Sequence, residues 1–352
     1  MLSQKIHLTL VLPGLAGLSP EAQQVLGTAV PDCPGLSHLL SISRRHRGQH
    51  SLEQQLLNWF AWPASMDCPL AALEVRGELP QAYSKDAWYM KLTPVHMLAD
   101  RDRLVLLPGK ELSQTQSQTL FGTMNQLYAN EPWQLLRGQS GAWYIQSKQV
   151  YDVQTTALGQ AMGADLNQCM PQGPDGAYWR SVMTEMQMLM HQQLLLEPRQ
   201  ADSYPCNGVW LWAQGILGAG PSLQSSWTQV YGDHALLQGL ATLTDTPLAS
   251  LQQAQSWLQQ LQQPCSINAG RHLLVLPALP SLNGASLSNW GGLLQQYDEQ
   301  WFCGVDHAVQ KGAIASVCLW TAAGQEYHCK PKRWQRILPR RRRLWYEYMT
   351  SF

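Results

Sequence analysis

The stretch His7-Leu-Thr-Leu-Val-Leu-Pro13-Gly14 reads as a short buried strand ended by a turn, and a near copy, His272-Leu-Leu-Val-Leu-Pro277, returns late in the chain. Neither run alternates polar with apolar positions. That is the pattern of a strand covered on both faces, so both are expected to be central strands of one sheet. Working outward, further strands are expected at Trp88–Leu92, Arg103–Leu107, Ala142–Gln146, Val209–Ala213 and Ile314–Trp320. Helical patterns lie between them. Ser51–Phe60 opens with Ser51 three residues before Gln54, and Ser113–Tyr128 has Ser113 as its cap candidate. Trp179–Leu196 and Leu251–Gln263 follow; the latter carries Leu251, Ala254, Leu258 and Leu261 on one stripe. Strands alternating with helices give a mixed α/β fold with a mostly parallel sheet flanked by helices.

The 352 residues suffice to bury a large core, and with 45% hydrophobic and 14% charged residues the composition excludes disorder. Residues 1–329 are expected to form one α/β domain, with the loop-like Gly215–Ser226 as a candidate break between lobes. The apolar runs are short and interrupted by proline, so no membrane span is expected. Met1–Lys5 lacks the features of a signal peptide, and the expected location is the cytoplasm. The eight cysteines contain no C-x-x-C pair and read as free thiols. Fifteen tryptophans against four phenylalanines mean either wide flat packing or a stacking site.

Charge is unevenly placed. Residues 330–352 hold eight basic residues against Glu347 alone, so this segment carries +7 and the remainder −7 in a chain of net charge zero. Trp334, Trp345, Tyr346 and Tyr348 interleave with the basic run. The segment suits docking on the acidic body, or else an anionic surface or single-stranded nucleic acid. A pI near 7.1 argues against dedicated nucleic-acid binding.

Common catalytic signatures are missing: there is no phosphate loop, no G-x-G-x-x-G, no G-x-S-x-G and no H-E-x-x-H. Two Asp-His dipeptides, Asp233-His234 and Asp306-His307, offer the oxygen and nitrogen ligands a Mn or Zn hydrolase needs. Each also suits a helix cap or turn. On the Trp179–Leu196 helix, Arg180, Thr184, Gln187 and His191 fall within an arc of about 60° beside a methionine-rich stripe. This row could line an anion site or simply face water.

Several blocks in order resemble the RpfE-type regulatory proteins of proteobacteria, a group labelled as cofactor-independent phosphoglycerate mutases of the alkaline-phosphatase-like superfamily. The blocks are Leu10-Val-Leu-Pro-Gly-Leu15, Trp88-Tyr-Met-Lys-Leu-Thr-Pro-Val-His96, Asp102–Leu107, Trp179-Arg180 with Glu185-Met-Gln-Met-Leu-Met-His191, and Pro205-Cys-Asn-Gly-Val-Trp-Leu-Trp212. They span residues 8 to about 221. Thr93 stands where the group has Asp, and Gly208 where it has Ser. The resemblance implies an alkaline-phosphatase-like α/β core and, for a mutase, two divalent metals with a Ser or Thr nucleophile. The first metal ligand is implied to be an Asp directly after the opening strand, where this chain has Pro13-Gly14. The expectation is therefore a non-catalytic, regulatory or binding protein without a cofactor. Its ligand site is expected at Arg180, Glu185, Gln187, His191, Asn207, Trp210 and Trp212, taking a small anionic ligand or a protein partner. The alternative is a Mn- or Zn-dependent phosphomutase or phosphatase using Asp233, His234, Asp306 and His307.

Overall fold

The computed structural model describes residues 5–15, 30–48, 51–100, 103–107, 109, 112–194, 205–261, 269–280, 287–321, 325–330 and 343–350. In chain order the elements begin β1 (Ile6–Val11), α1 (Pro34–Ser41), β2 (Ser43–Arg47), α2 (Leu52–Trp59) and α3 (Leu70–Glu78). They continue with β3 (Trp88–Asp100), β4 (Arg103–Leu107), α4 (Gln114–Leu127), β5 (Trp133–Arg137), β6 (Trp143–Ser147), α5 (Leu158–Ala161), α6 (Leu166–Cys169), α7 (Gly176–Leu194) and β7 (Gly208–Gly215). Then come β8 (Gln229–Tyr231), α8 (Ala235–Leu243), β9 (Leu248–Ala249), α9 (Leu251–Gln260), β10 (Gly270–Val275) and α10 (Leu287–Tyr297). A π-helical turn (Asp298–Phe302) joins α10 to α11 (Cys303–Lys311), followed by β11 (Ile314–Trp320), β12 (Gln325–Cys329) and α12 (Trp345–Thr350).

The chain forms two compact units. The first comprises Met1–Trp62, Leu223–Leu237 and Ala241–Phe352; the second comprises Pro63–Ser222 with Gln238–Leu240. The first holds a seven-stranded sheet in the order β2-β12-β11-β1-β10-β8-β9. Its strands β11, β1, β10, β8 and β9 run parallel, and β12 and β2 add an antiparallel edge. The two sequence-similar runs are neighbours: Leu8 pairs with His272 and Val11 with Val275. The expected fold class therefore holds: mixed α/β, with a mostly parallel sheet flanked by helices. One core, including Leu8, Leu10, Leu274, Trp290, Phe302 and Trp345, fills this unit.

The second unit carries a separate antiparallel sheet, β4-β3-β6-β5, with β7 also paired to β3. Four of the expected strands belong here rather than to the parallel sheet. Periodicity shows that a strand is buried but not which sheet it joins. Strand β3 contains Pro94, which paired backbone usually excludes. Val95 O accepts the Asn207 N–H of the β7 side, so residue 94 faces the other way. There β6 has ended at Leu92 and β4 begins at His96, and no ladder bond is lost.

Three helices open with Ser-x-x-Gln capping boxes: Ser51 with Gln54, Ser113 with Gln116, and Ser250 with Gln253. The tryptophans are used mainly for packing. In the second unit Trp88 stacks on Trp179, and Trp133, Tyr151 and Tyr178 close around them. Among the described residues no helix is long and apolar enough to cross a membrane. Most of the basic segment, residues 331–342 and 351–352, lies outside the described residues. Its aromatic end does not: Trp345 is buried, and its indole N–H donates to Pro31 O at 3.2 Å.

Candidate functional site

In an open parallel sheet, ligands usually bind beyond the carboxyl ends of the strands. Here that edge is built from Pro13-Gly14 after β1, Asp233-His234 after β8, Pro277 after β10 and Thr321 after β11. The loops are tied together by backbone. Leu12 N donates to Trp320 O, Leu276 N to Val11 O, and Leu279 N to Pro13 O at 2.8 Å. Gly14 has φ +82°, and a Cβ there would lie 2.4 Å from Leu279 O, so the turn requires glycine. The position where the resemblance implies a carboxylate thus holds a proline whose carbonyl accepts a backbone N–H.

The four alternative metal ligands fall in different settings. Asp233 and His234 precede α8 at this sheet edge, Asp233 exposed and His234 half-buried. Asp306 and His307 lie within α11, Asp306 in its first turn, and neither caps it. Consecutive helical residues point about 100° apart. Asp306 accordingly turns inward to His38 Nδ1 (2.5 Å) and Gln310 Nε2 (2.8 Å), and His307 turns outward. No three of these four residues bring ligand atoms within 4.8 Å of one another.

The residues expected to bind a ligand make identifiable contacts. Arg180 is exposed on α7 and its guanidinium donates to Pro171 O. Glu185, also exposed, accepts from Tyr128 Oη and Ser181 Oγ; Gln187 is half-buried and His191 exposed. Asn207 clamps Met97, accepting its N–H at 2.7 Å and donating to its carbonyl at 2.9 Å. Trp210 and Trp212 are buried, donating to Thr156 O and Thr93 Oγ1. Thr93 thus anchors Trp212. Along the methionine stripe, Met183, Met186 and Met190 are core, whereas Met188 is exposed.

Two polar features escaped the sequence reading. In the second unit Glu74 and Glu78, both 2% exposed, share Tyr144: its hydroxyl lies 2.9 Å from Glu74 Oε2 and 2.5 Å from Glu78 Oε1. Lys91 Nζ meets both oxygens of Glu74 at 2.9 and 2.6 Å. Ser140 donates its N–H and hydroxyl to Glu78. Gly138 leaves room for the carboxylate, since a Cβ there would lie 2.2 Å from it. Burial and the two carboxylates push the Tyr144 phenol far above its ordinary value. The sequence signal was two glutamates four apart in a short helix that otherwise carries only Arg76 as a charged residue.

The second feature is a cleft of about 600 Å³ in the first unit. Gln255 and Gln259 of α9 face Glu299, Gln300, Cys303 and His307 along the π turn and α11. Burial and the neighbouring Asp298 push the Cys303 thiol up to about 11, so it is a poor nucleophile at neutral pH. The cleft can therefore hold a polar molecule through amide, carboxylate and imidazole groups without covalent chemistry. Its lining comes from two helical segments distant in the chain, and a π insertion is not visible in sequence periodicity.

No family model matches the chain, and no curated protein matches it. Among solved structures it is similar to the PH0037 protein from Pyrococcus horikoshii, with a TM-score of 0.50 and 12% identity over 93% of this chain and 88% of that one. It is also similar to the cofactor-independent phosphoglycerate mutase from Thermoplasma acidophilum, with a TM-score of 0.40 and 10% identity over 92% and 88%. At such identities the likeness to PH0037 is one of fold.

Proposed function

We propose that this chain is a non-catalytic, phosphoglycerate-mutase-like protein of the RpfE type that works by binding rather than by turnover. The observation that carries the reading is the Pro13-Gly14 turn. A dinuclear mutase centre needs hard anionic ligands to hold metal against phosphate. At the first such position this chain offers a proline carbonyl that already accepts Leu279 N–H, in a turn whose next residue has no room for a side chain. The fold is retained, and function must be argued from the site.

The binding site in this reading is the cleft formed by α9, the π turn and α11, where Glu299, His307 and three glutamines converge on open space. It suits a small polar ligand recognised by hydrogen bonds. The test is an assay for interconversion of 2- and 3-phosphoglycerate by the full chain supplied with Mn²⁺ or Zn²⁺, before and after Asp233→Ala with His234→Ala. The expected result is no turnover above buffer in either protein. Turnover that disappears in the double variant would establish the enzyme reading and overturn this one.

A further inference from the structure

The antiparallel edge of the first unit's sheet gathers ligand-type side chains on one face. Register places Cys318 of β11 opposite His328 of β12, and Glu326 lies two residues before His328 on the same face. Strand β2 adds His46 opposite Glu326. The His328 Nε2 atom is 2.7 Å from Glu326 Oε2 and 3.8 Å from Cys318 Sγ. The ligand atoms of Cys318, Glu326 and His328 all lie within 4.8 Å of one another, the one such group of three or more among the described residues. The His46 ring stands edge-on to that of His328, with centroids 4.6 Å apart.

We propose that Cys318, Glu326 and His328 form a zinc site, with His46 closing the fourth position. A tetrahedral Zn²⁺ with Zn–S near 2.3 Å and Zn–N near 2.0 Å holds its sulfur and nitrogen ligands about 3.5 Å apart. The Cys318–His328 separation is within a few tenths of an ångström of that. Within this group of three the Glu326 carboxylate must draw back to admit the ion, and the His46 ring, which is not among the three, must turn toward it. Thiolate and imidazole select Zn²⁺ over Mg²⁺ or Mn²⁺, which prefer oxygen. Thiolate and carboxylate together neutralise the ion, so Arg44, exposed and opposite His328, does not oppose it electrostatically. The ligands sit on paired strands, which hold their Cα positions without further organisation. Access is open, because the His328 and Glu326 side chains are 38% and 23% exposed.

The site is separate from the sheet edge that carries Pro13 and from the Asp-His dipeptides. It would pin β11, β12 and β2 together as a structural centre. The full chain, purified without chelator, loaded with Zn²⁺ and dialysed, should retain about one Zn²⁺ per chain by mass spectrometry. Cys318→Ser and His328→Gln should each lose nearly all of it, and Asp233→Ala with His234→Ala should lose none. Co²⁺ in place of Zn²⁺ should show the visible bands of a tetrahedral centre and a thiolate charge-transfer band that Cys318→Ser abolishes. His328→Gln, at a part-exposed position, keeps the test open should Cys318→Ser misfold. A wild-type chain that holds no stoichiometric Zn²⁺, or a Cys318→Ser variant that holds it undiminished, would overturn the proposal. Either outcome is independent of whether phosphoglycerate is turned over.

Discussion

Tyr144 shows how single residues set the energetics of the second unit. Its phenol lies between two buried carboxylates, one of which is paired with the part-exposed Lys91. A hydrogen bond to a charged group is worth about 1.5–3 kcal/mol, so Tyr144→Phe should destabilise by that amount in urea unfolding at pH 7. The same residue gives a pH signature. The folded chain holds the phenolic proton more tightly than the unfolded chain, whose value is 10.0. Its contribution is therefore full below pH 10 and falls as pH rises above it. Urea midpoints measured from pH 8 to above pH 10 should decline less steeply in Tyr144→Phe than in wild type; an identical slope would sink the assignment. Tyr128 and Tyr178, also raised by burial, account for a residual slope in both. The sequence could not show this cluster, because Glu74, Tyr144 and Lys91 meet only through the fold. By contrast, the reading of the cysteines as thiols outside disulfides needed no tertiary knowledge, and the seven described ones form no disulfide; Cys265 lies outside the described residues.

At the scale of elements, the readable parts were those with local causes. Ser51 and Ser113 each form the capping box that their spacing announces, because cap and first turn are contiguous in the chain. The opening strand and its late copy were legible as apolar runs covered on both faces. Strands β2 and β12 were not, since Ser43–Arg47 is the edge strand and Gln325–Cys329 the strand beside it, and both carry polar residues on their exposed positions. Helix α1 was missed for a related reason: its N-terminus is capped by a residue from the other end of the chain. Cys33 offers no side-chain cap, and instead Asp298 accepts the Leu36 N–H at 2.7 Å and the Gly35 N–H at 3.1 Å. Asp298 stands where the π turn begins, 1% exposed, and burial holds its carboxyl above the usual range despite these bonds. Asp298→Ala strands two buried donors at once. Its expected cost is about 2–4 kcal/mol, since each orphaned group costs about 1–3 kcal/mol and the site relaxes in part. Hydrogen exchange should locate the loss at Gly35 and Leu36; unchanged protection there would refute the capping role.

For the whole molecule, what matters is that the two units have separate cores, one around Leu10, Trp290 and Phe302 and the other around Trp88, Trp143 and Trp179. Composition predicted ample core but could not apportion it between two sheets. The C-terminal aromatics carried a similar ambiguity, since beside a run of arginines they suit a nucleic-acid arm as well as an anchor. Burial decides for Trp345: it is fully enclosed, its ring centroid lies 5.8 Å from that of Trp290, and its N–H is satisfied by Pro31 O. Removing a buried tryptophan costs about 3–5 kcal/mol, the lost transfer energy plus the cavity it leaves. Because each core is contiguous only within its own unit, that loss should fall on the first unit alone. Trp345→Ala should therefore lower the unfolding midpoint of one transition and leave the other in place. Urea unfolding can resolve this, followed by hydrogen exchange at Leu10 and Leu274 for the first core and at Trp88 and Ile145 for the second. A uniform loss of protection at all four positions would mean that the chain unfolds as one cooperative body. Full protection at Leu10 would mean that α12 is dispensable to the core it enters.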